Sequence, residues 1–237
     1  MGKERQMSVR LFVGVPGSGK TQAMIDFCMA SQDEQLFGVV DRAGEWGDLN
    51  SPRWRGKRPN AVIVPHNVEG KMPDEVLNTH RGFLIFQHPW EGEAVAELIR
   101  QRGEAVYVDD EIDLVAIYKG WIENPLRDFV HRGRHLPNAE GIPSQVDILG
   151  AARRIQNLHS DVTSMADECF VFRSQGKYTI KRLVEEGFID DSEEAITQVR
   201  NFKGGKGIPT MEFLLWKSDG TRALGTIKNP FMGKSAK

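Results

Sequence analysis

Only two cysteines, Cys28 and Cys169, occur in 237 residues. That excludes a disulfide framework, and the pair reads as free thiols of a reducing compartment. Charge of one sign is lacking too. Lys plus Arg number 31 against 33 Asp plus Glu, a formal charge of −2. This excludes a globally basic nucleic-acid coat but not a local basic surface. No apolar run approaches the ~20 residues that cross a bilayer. The opening MGKERQMSVR has no apolar signal core, and Gln6 stands where a myristoylation pattern needs Ser or Thr. The expectation is therefore a chain with no transmembrane segment and no secretory leader. There is no repeat, low-complexity tract or long linker. What is present, 40% hydrophobic and 27% charged residues, describes an ordinary globular protein. The length suits one large domain or a domain with an appendage, able to bury a core without staples.

Short apolar runs alternate with helical periodicity. Strands are expected over 8–13, 36–40, 61–64, 83–86, 105–108, 146–151 and 169–172. Helices are expected over 20–30, 91–102, 112–130 (with Pro125 as a break or kink), 161–167, 178–186 and 192–199. Segments 212–216 and 222–227 flank an Asp219-Gly220 turn and predict a hairpin. Alternation of this kind predicts an α/β fold with a mainly parallel central sheet. The expected organisation is a core over 1–175 and a small, basic C-terminal extension with the hairpin, 176–237, packed on it.

Gly14-Val15-Pro16-Gly17-Ser18-Gly19-Lys20-Thr21 matches G-x-x-x-x-G-K-[ST] at every fixed position, between a strand and a helix. Glycines allow successive N–H groups to point at phosphate oxygens, and a helix N-terminus adds partial positive charge. Gly14, Pro16, Gly17, Ser18, Gly19, Lys20 and Thr21 are thus candidates to cradle ATP. Lys20 would reach the β- and γ-phosphates and Thr21 would ligate Mg²⁺. A second, acidic site is needed, and Ala105-Val106-Tyr107-Val108-Asp109-Asp110-Glu111 supplies it. An apolar strand there delivers carboxylates to the edge where α/β sheets bind ligands. Two registers are open: Asp109 as metal ligand with Asp110 as base, or Asp110 as metal ligand with Glu111 polarising water. The second is favoured, and the surplus acid is then a solvated loop charge.

With Asp41-Arg42-Ala43-Gly44-Glu45-Trp46 and the 146–154 and 161–173 tracts, these motifs resemble the FtsK–HerA superfamily of DNA-pumping ATPases. They are most similar to the genome-packaging ATPases of tailless, membrane-containing icosahedral viruses. The resemblance spans most of 8–173. It implies a RecA-like P-loop core that hydrolyses ATP with Mg²⁺, a homo-oligomeric ring, and double-stranded DNA and capsid vertex proteins as partners. It also implies a place in the host cytoplasm or on the virion at the packaging vertex. Arg153 stands where the superfamily has a polar sensor, either contacting a γ-phosphate or closing a salt bridge. Arg132 and Arg134 are candidates for a finger reaching the neighbouring subunit's nucleotide; a solvated basic loop or DNA contact is the alternative. His131 and His135 lack a third metal ligand and read as surface or structural histidines.

Two basic stretches are candidates for DNA. Arg53, Arg55, Lys57 and Arg58 surround Trp54, which could stack on a base. From residue 195 onward, eight Lys and Arg face two acids, with Lys203 and Lys206 in a glycine-rich segment suited to tracking a backbone. The rival readings are a filamentous-phage assembly or export ATPase, a P-loop kinase acting on a small molecule, and a non-catalytic nucleotide switch.

Overall fold

The computed structural model describes residues 8–231 except 65–78, 88–91, 104, 121–123, 133–135, 139, 142, 145 and 206. The first half of the chain alternates strand and helix: β1 (Val9–Val13), α1 (Lys20–Met29), β2 (Leu36–Val40), β3 (Ala61–Val64), β4 (Gly82–Phe86), α2 (Gly92–Arg102) and β5 (Ala105–Asp109). There follow α3 (Pro125–Arg132), the short strands β6 (Leu136–Pro137) and β7 (Pro143–Ser144), and β8 (Val146–Ala152). The last part holds α4 (Ser160–Ser164), β9 (Glu168–Phe172), α5 (Lys177–Glu185), α6 (Glu193–Asn201), β10 (Thr210–Lys217) and β11 (Arg222–Lys228).

Among the described residues, nine strands form one sheet in the order β11-β10-β9-β1-β8-β5-β2-β4-β3. From β3 through β9 every pairing is parallel. The hairpin then continues the sheet, β10 antiparallel to β9 and β11 antiparallel to β10. The α/β, mainly parallel sheet anticipated from the sequence is what forms. Strands β2, β4, β5 and β8 are buried along their whole length, as parallel strands covered on both faces must be. Successive β1 residues alternate between two apolar clusters: Leu11 and Val13 join one with α2 to α6, and Phe12 joins the other with α1, Trp46 and Trp54. Gly38 lets α2 press onto β2, because a Cβ there would lie 2.8 Å from Ile99 Cδ1.

One expected helix does not form as read. Among the described residues of 112–130 the chain makes a 3-10 turn, Ile112–Leu114, and α3. Gly120 has φ 77° and Pro125 opens α3, the position where its missing N–H costs nothing. Asn124 Oδ1 accepts from Leu126 N at 3.0 Å and its Nδ2 donates to Val115 O, fixing the helix start.

The seven parallel strands point their C-terminal ends at one edge. That edge receives the loop after β1, Asp41 after β2, the acids closing β5, Arg153 after β8 and Arg173 after β9.

Candidate active site

The loop between β1 and α1 is tied to its neighbours through backbone: Gly14 N donates to Ala152 O (3.1 Å) and Val15 N to Arg173 O (2.9 Å). Gly17 and Gly19 take φ of 73° and 110°, left-handed backbone that a side chain would strain. Lys20 is buried and folds back over the loop, its Nζ donating to Gly14 O at 2.7 Å and Val15 O at 3.1 Å. Burial brings its pKa down to about 8, against the opposing pull of Asp113. Ser18 Oγ is buried without a partner among the described residues.

The three acids after β5 separate sharply. Asp109 is fully buried. Its carboxylate accepts from Arg42 Nε (3.1 Å) and Nη2 (3.0 Å), from the Tyr107 hydroxyl (3.1 Å) and from Glu111 N (3.0 Å). As the surplus acid it is thus no solvated loop charge but half of a buried ion pair, and it does not line the cavity described below. Asp110 accepts from Arg42 N through Oδ1 at 3.2 Å, while its Oδ2 is buried with no partner among the described residues. Burial pushes its pKa up to about 8, reinforced by Asp109 and Asp41. Glu111 is ion-paired with Arg153 Nη2. The Asp113 carboxylate accepts from the N–H groups of Arg153 (3.3 Å) and Arg154 (3.0 Å), so the segment after β8 is held against the acidic one.

Asp41 plays an organising part that sequence reasoning did not assign. It is buried, and its two oxygens accept from the N–H groups of Glu45 (2.8 Å), Trp46 (3.2 Å) and Gly47 (2.9 Å). That carboxylate-capped turn presents Ala43 and Glu45 to the site.

These elements enclose a cavity of about 740 Å³. Pro16, Gly17, Gly19, Lys20, Thr21 and Gln22 floor it, Asp110, Glu111 and Arg153 stand on one side, and Ala43, Glu45 and Arg53 line it too. The remaining wall is C-terminal: Gly205, Gly207, Met211, Asn229, Pro230 and Phe231. No local motif announces these residues; they reach the site only because β10 joins β9. Gly204 lies against the Ser18 backbone, and Met211 covers Gly19 so closely that a Cβ there would sit 2.7 Å from its sulfur. The residues present fit Mg²⁺. Asp110 Oδ2 is an orphaned carboxylate oxygen on a cavity shared with the Thr21 hydroxyl, and Mg²⁺ binds through one or two carboxylates plus substrate phosphates.

The DNA candidates fare unevenly. Trp54 is buried, edge-on to Phe83 at 5.4 Å, with Nε1 donating to Asp48 O, so it is not free to stack on a base. Arg53 pairs with Glu45 at 2.9 Å, and Arg55 pairs with Asp26 at 2.7 Å while donating to Lys228 O. Lys57 and Arg58 are exposed. Lys203 is exposed and 3.5 Å from Glu212. Arg132 is exposed at the end of α3, beside His131, which meets Asp161 at 2.8 Å. Arg134, His135 and Lys206 lie outside the described residues.

The fold is that of the α/β P-loop NTPases. Among solved structures, the genome-packaging NTPase B204 of Sulfolobus turreted icosahedral virus 2, in complex with ATP-gammaS, superposes with a TM-score of 0.63 at 15% identity over 92% of this chain and 96% of that one. B204 of Sulfolobus turreted icosahedral virus, described as a DNA-packaging ATPase, gives 0.63 at 13% identity over 92% and 96%. The resemblance drawn from the motifs thus extends to the whole fold. No protein-family model and no curated protein matches the chain. Among the described residues no helix is long and apolar enough to cross a membrane.

Proposed function

We propose that the chain is an ATP-hydrolysing DNA translocase, a genome-packaging motor that pumps double-stranded DNA into a preformed capsid. The observation that carries the hydrolytic part is the cavity itself, lined by a phosphate loop, by Asp110 with its unengaged Oδ2 and by the Glu111 carboxylate. In this reading Lys20 leaves its backbone acceptors for the β- and γ-phosphates. Thr21 and Asp110, not Asp109, hold Mg²⁺. Bound Mg²⁺ supplies charge neutralisation on the phosphate oxygens. Glu111 orients and polarises the attacking water, and Arg153 exchanges its pairing with Glu111 for the γ-phosphate. Arg132 and Arg134 reach a neighbouring subunit's nucleotide in a homo-oligomeric ring. DNA is gripped by solvent-facing cations, Lys57, Arg58 and Lys203 with Lys206. Residues 1–175 act as the ATPase core and 176–237 as an extension packed on it. The motor would work in the host cytoplasm, docked to capsid vertex proteins.

The DNA-pumping part draws its support from the likeness to B204, whose name carries that role. ATP turnover measured with and without duplex DNA, alongside a mass measurement in both states, tests it. Stimulation by DNA and assembly into a ring are expected. Phosphate transfer to a small molecule with no response to DNA would replace this reading with the kinase one. In the same assay Glu111→Gln is expected to lower turnover by about 10²-fold or more while nucleotide binding persists.

A further inference from the structure

The proposed reaction uses one end of the cavity, and the other end has a construction of its own. In the sheet order β1 lies between β8 and β9, so the acids of β5 stand two strands to one side of the phosphate loop. Met211, at the start of β10, stands two strands to the other side, and Asn229 to Phe231 follow directly from β11. Met211 packs directly on Gly19, so this flank of the cavity begins at the phosphate loop itself. With a γ-phosphate placed at Lys20 and Glu111, the part of the cavity left for a nucleoside is bordered by Met211 and Phe231.

That end is preformed. Phe231 is 55% exposed, with the Arg53 guanidinium 5.0 Å from its ring centre. One face is thus backed by a cation, and more than half of the residue is accessible to solvent. Arg53 is itself fixed by Glu45 and by Gln22 Nε2, which donates to its carbonyl oxygen. Asn229 Nδ2 donates to Ile208 O at 2.9 Å and its Oδ1 accepts from Phe231 N at 3.0 Å, holding the turn that carries the ring. An exposed aromatic held this firmly at the mouth of a cavity is unusual for a solvent-facing tail and suits a flat ligand.

We infer that Phe231, backed by Arg53 and set by Asn229, is the stacking platform for the nucleobase of the bound triphosphate, ranking bases by stacking area and so favouring purines over pyrimidines. This rests on the nucleotide reading above and adds a base subsite to it. Arg53 and Arg55, read from sequence as DNA contacts, instead tie the loop after β2 to the end of β11, where this subsite lies.

Binding to the full chain, with Mg²⁺, of a non-hydrolysable ATP analogue, its CTP counterpart and inorganic tripolyphosphate tests the inference. Phe231→Ala is expected to weaken the ATP analogue about tenfold, from the loss of one base–aromatic stack, and to leave tripolyphosphate unchanged. Phe231→Trp is expected to restore the analogue, and the wild type to prefer it over the CTP counterpart. Equal losses for analogue and tripolyphosphate, or no loss for either, would overturn the platform while leaving the phosphate loop standing. A wild-type chain that binds none of the three ligands would remove the nucleotide reading and the platform with it.

Discussion

Asp109 and Asp110 are adjacent in the chain and are both buried, yet they have opposite partners. Asp109 is saturated by Arg42, Tyr107 and a backbone N–H, whereas Asp110 keeps one oxygen unengaged. A buried charge pair is costly to break from one side, since the survivor is stranded without solvent. Arg42→Ala is therefore expected to destabilise the fold by about 3–5 kcal/mol in chemical denaturation. Adding Asp109→Asn should recover part of that loss, and full additivity of the two changes would contradict the pairing. The sequence showed that an acidic strand end was present but could not sort its members, because which acid is neutralised depends on Arg42, 67 positions away. Trp54 was misjudged for the same reason. Its neighbours Arg53 and Lys57 suggest an exposed loop, while Trp46 and the more distant Phe83 bury it.

Apolar runs made most strands legible, since a parallel strand covered on both faces is apolar throughout. The hairpin was also legible from its Asp-Gly turn, but its place in the sheet was not. That is decided by aromatic stacking across three strands. Phe12 stacks on Phe170 at 4.6 Å, and Phe213 meets Phe170 at 5.5 Å and Phe172 at 5.3 Å. Phe213→Ala is expected to cost about 2–3 kcal/mol, below the range for a fully buried phenylalanine because Phe213 is only half-buried. It should also weaken nucleotide binding, since β10 carries Met211 to Gly19. Equilibrium unfolding with and without an ATP analogue separates the two effects; unaltered nucleotide affinity would mean that β10 does not support the loop. The failed helix over 112–130 has the converse lesson. Its apolar periodicity was real and Pro125 was expected to break it, but Gly120 already turns the backbone before that point.

Across the whole molecule the near-zero net charge conceals a division of labour. Several cations that looked free are engaged with carboxylates, Arg53 with Glu45 and Arg55 with Asp26, close to the cavity. The exposed Lys57 and Arg58 remain for phosphate contact. If both meet duplex DNA, replacing them with alanine should reduce the slope of log affinity against log salt by about two and weaken binding uniformly across sequences. An unchanged slope would place the grip elsewhere on the surface.

The strand order also sets when the site can exist during synthesis. β1 leaves the ribosome first, yet its sheet neighbours are β8 and β9, with Val9 opposite Ile148 and Leu11 opposite Cys169. The cavity wall then waits for Phe231. A nascent or truncated chain lacking that stretch would carry the complete phosphate motif without the strands that brace it or the wall that closes it. At roughly 5–20 residues per second of translation, the interval between making the motif and completing the site is on the order of ten seconds or more. Over that interval the motif exists without its site, so that in the proposed reading a copy draws on the nucleotide pool only after residues through Phe231 have been made.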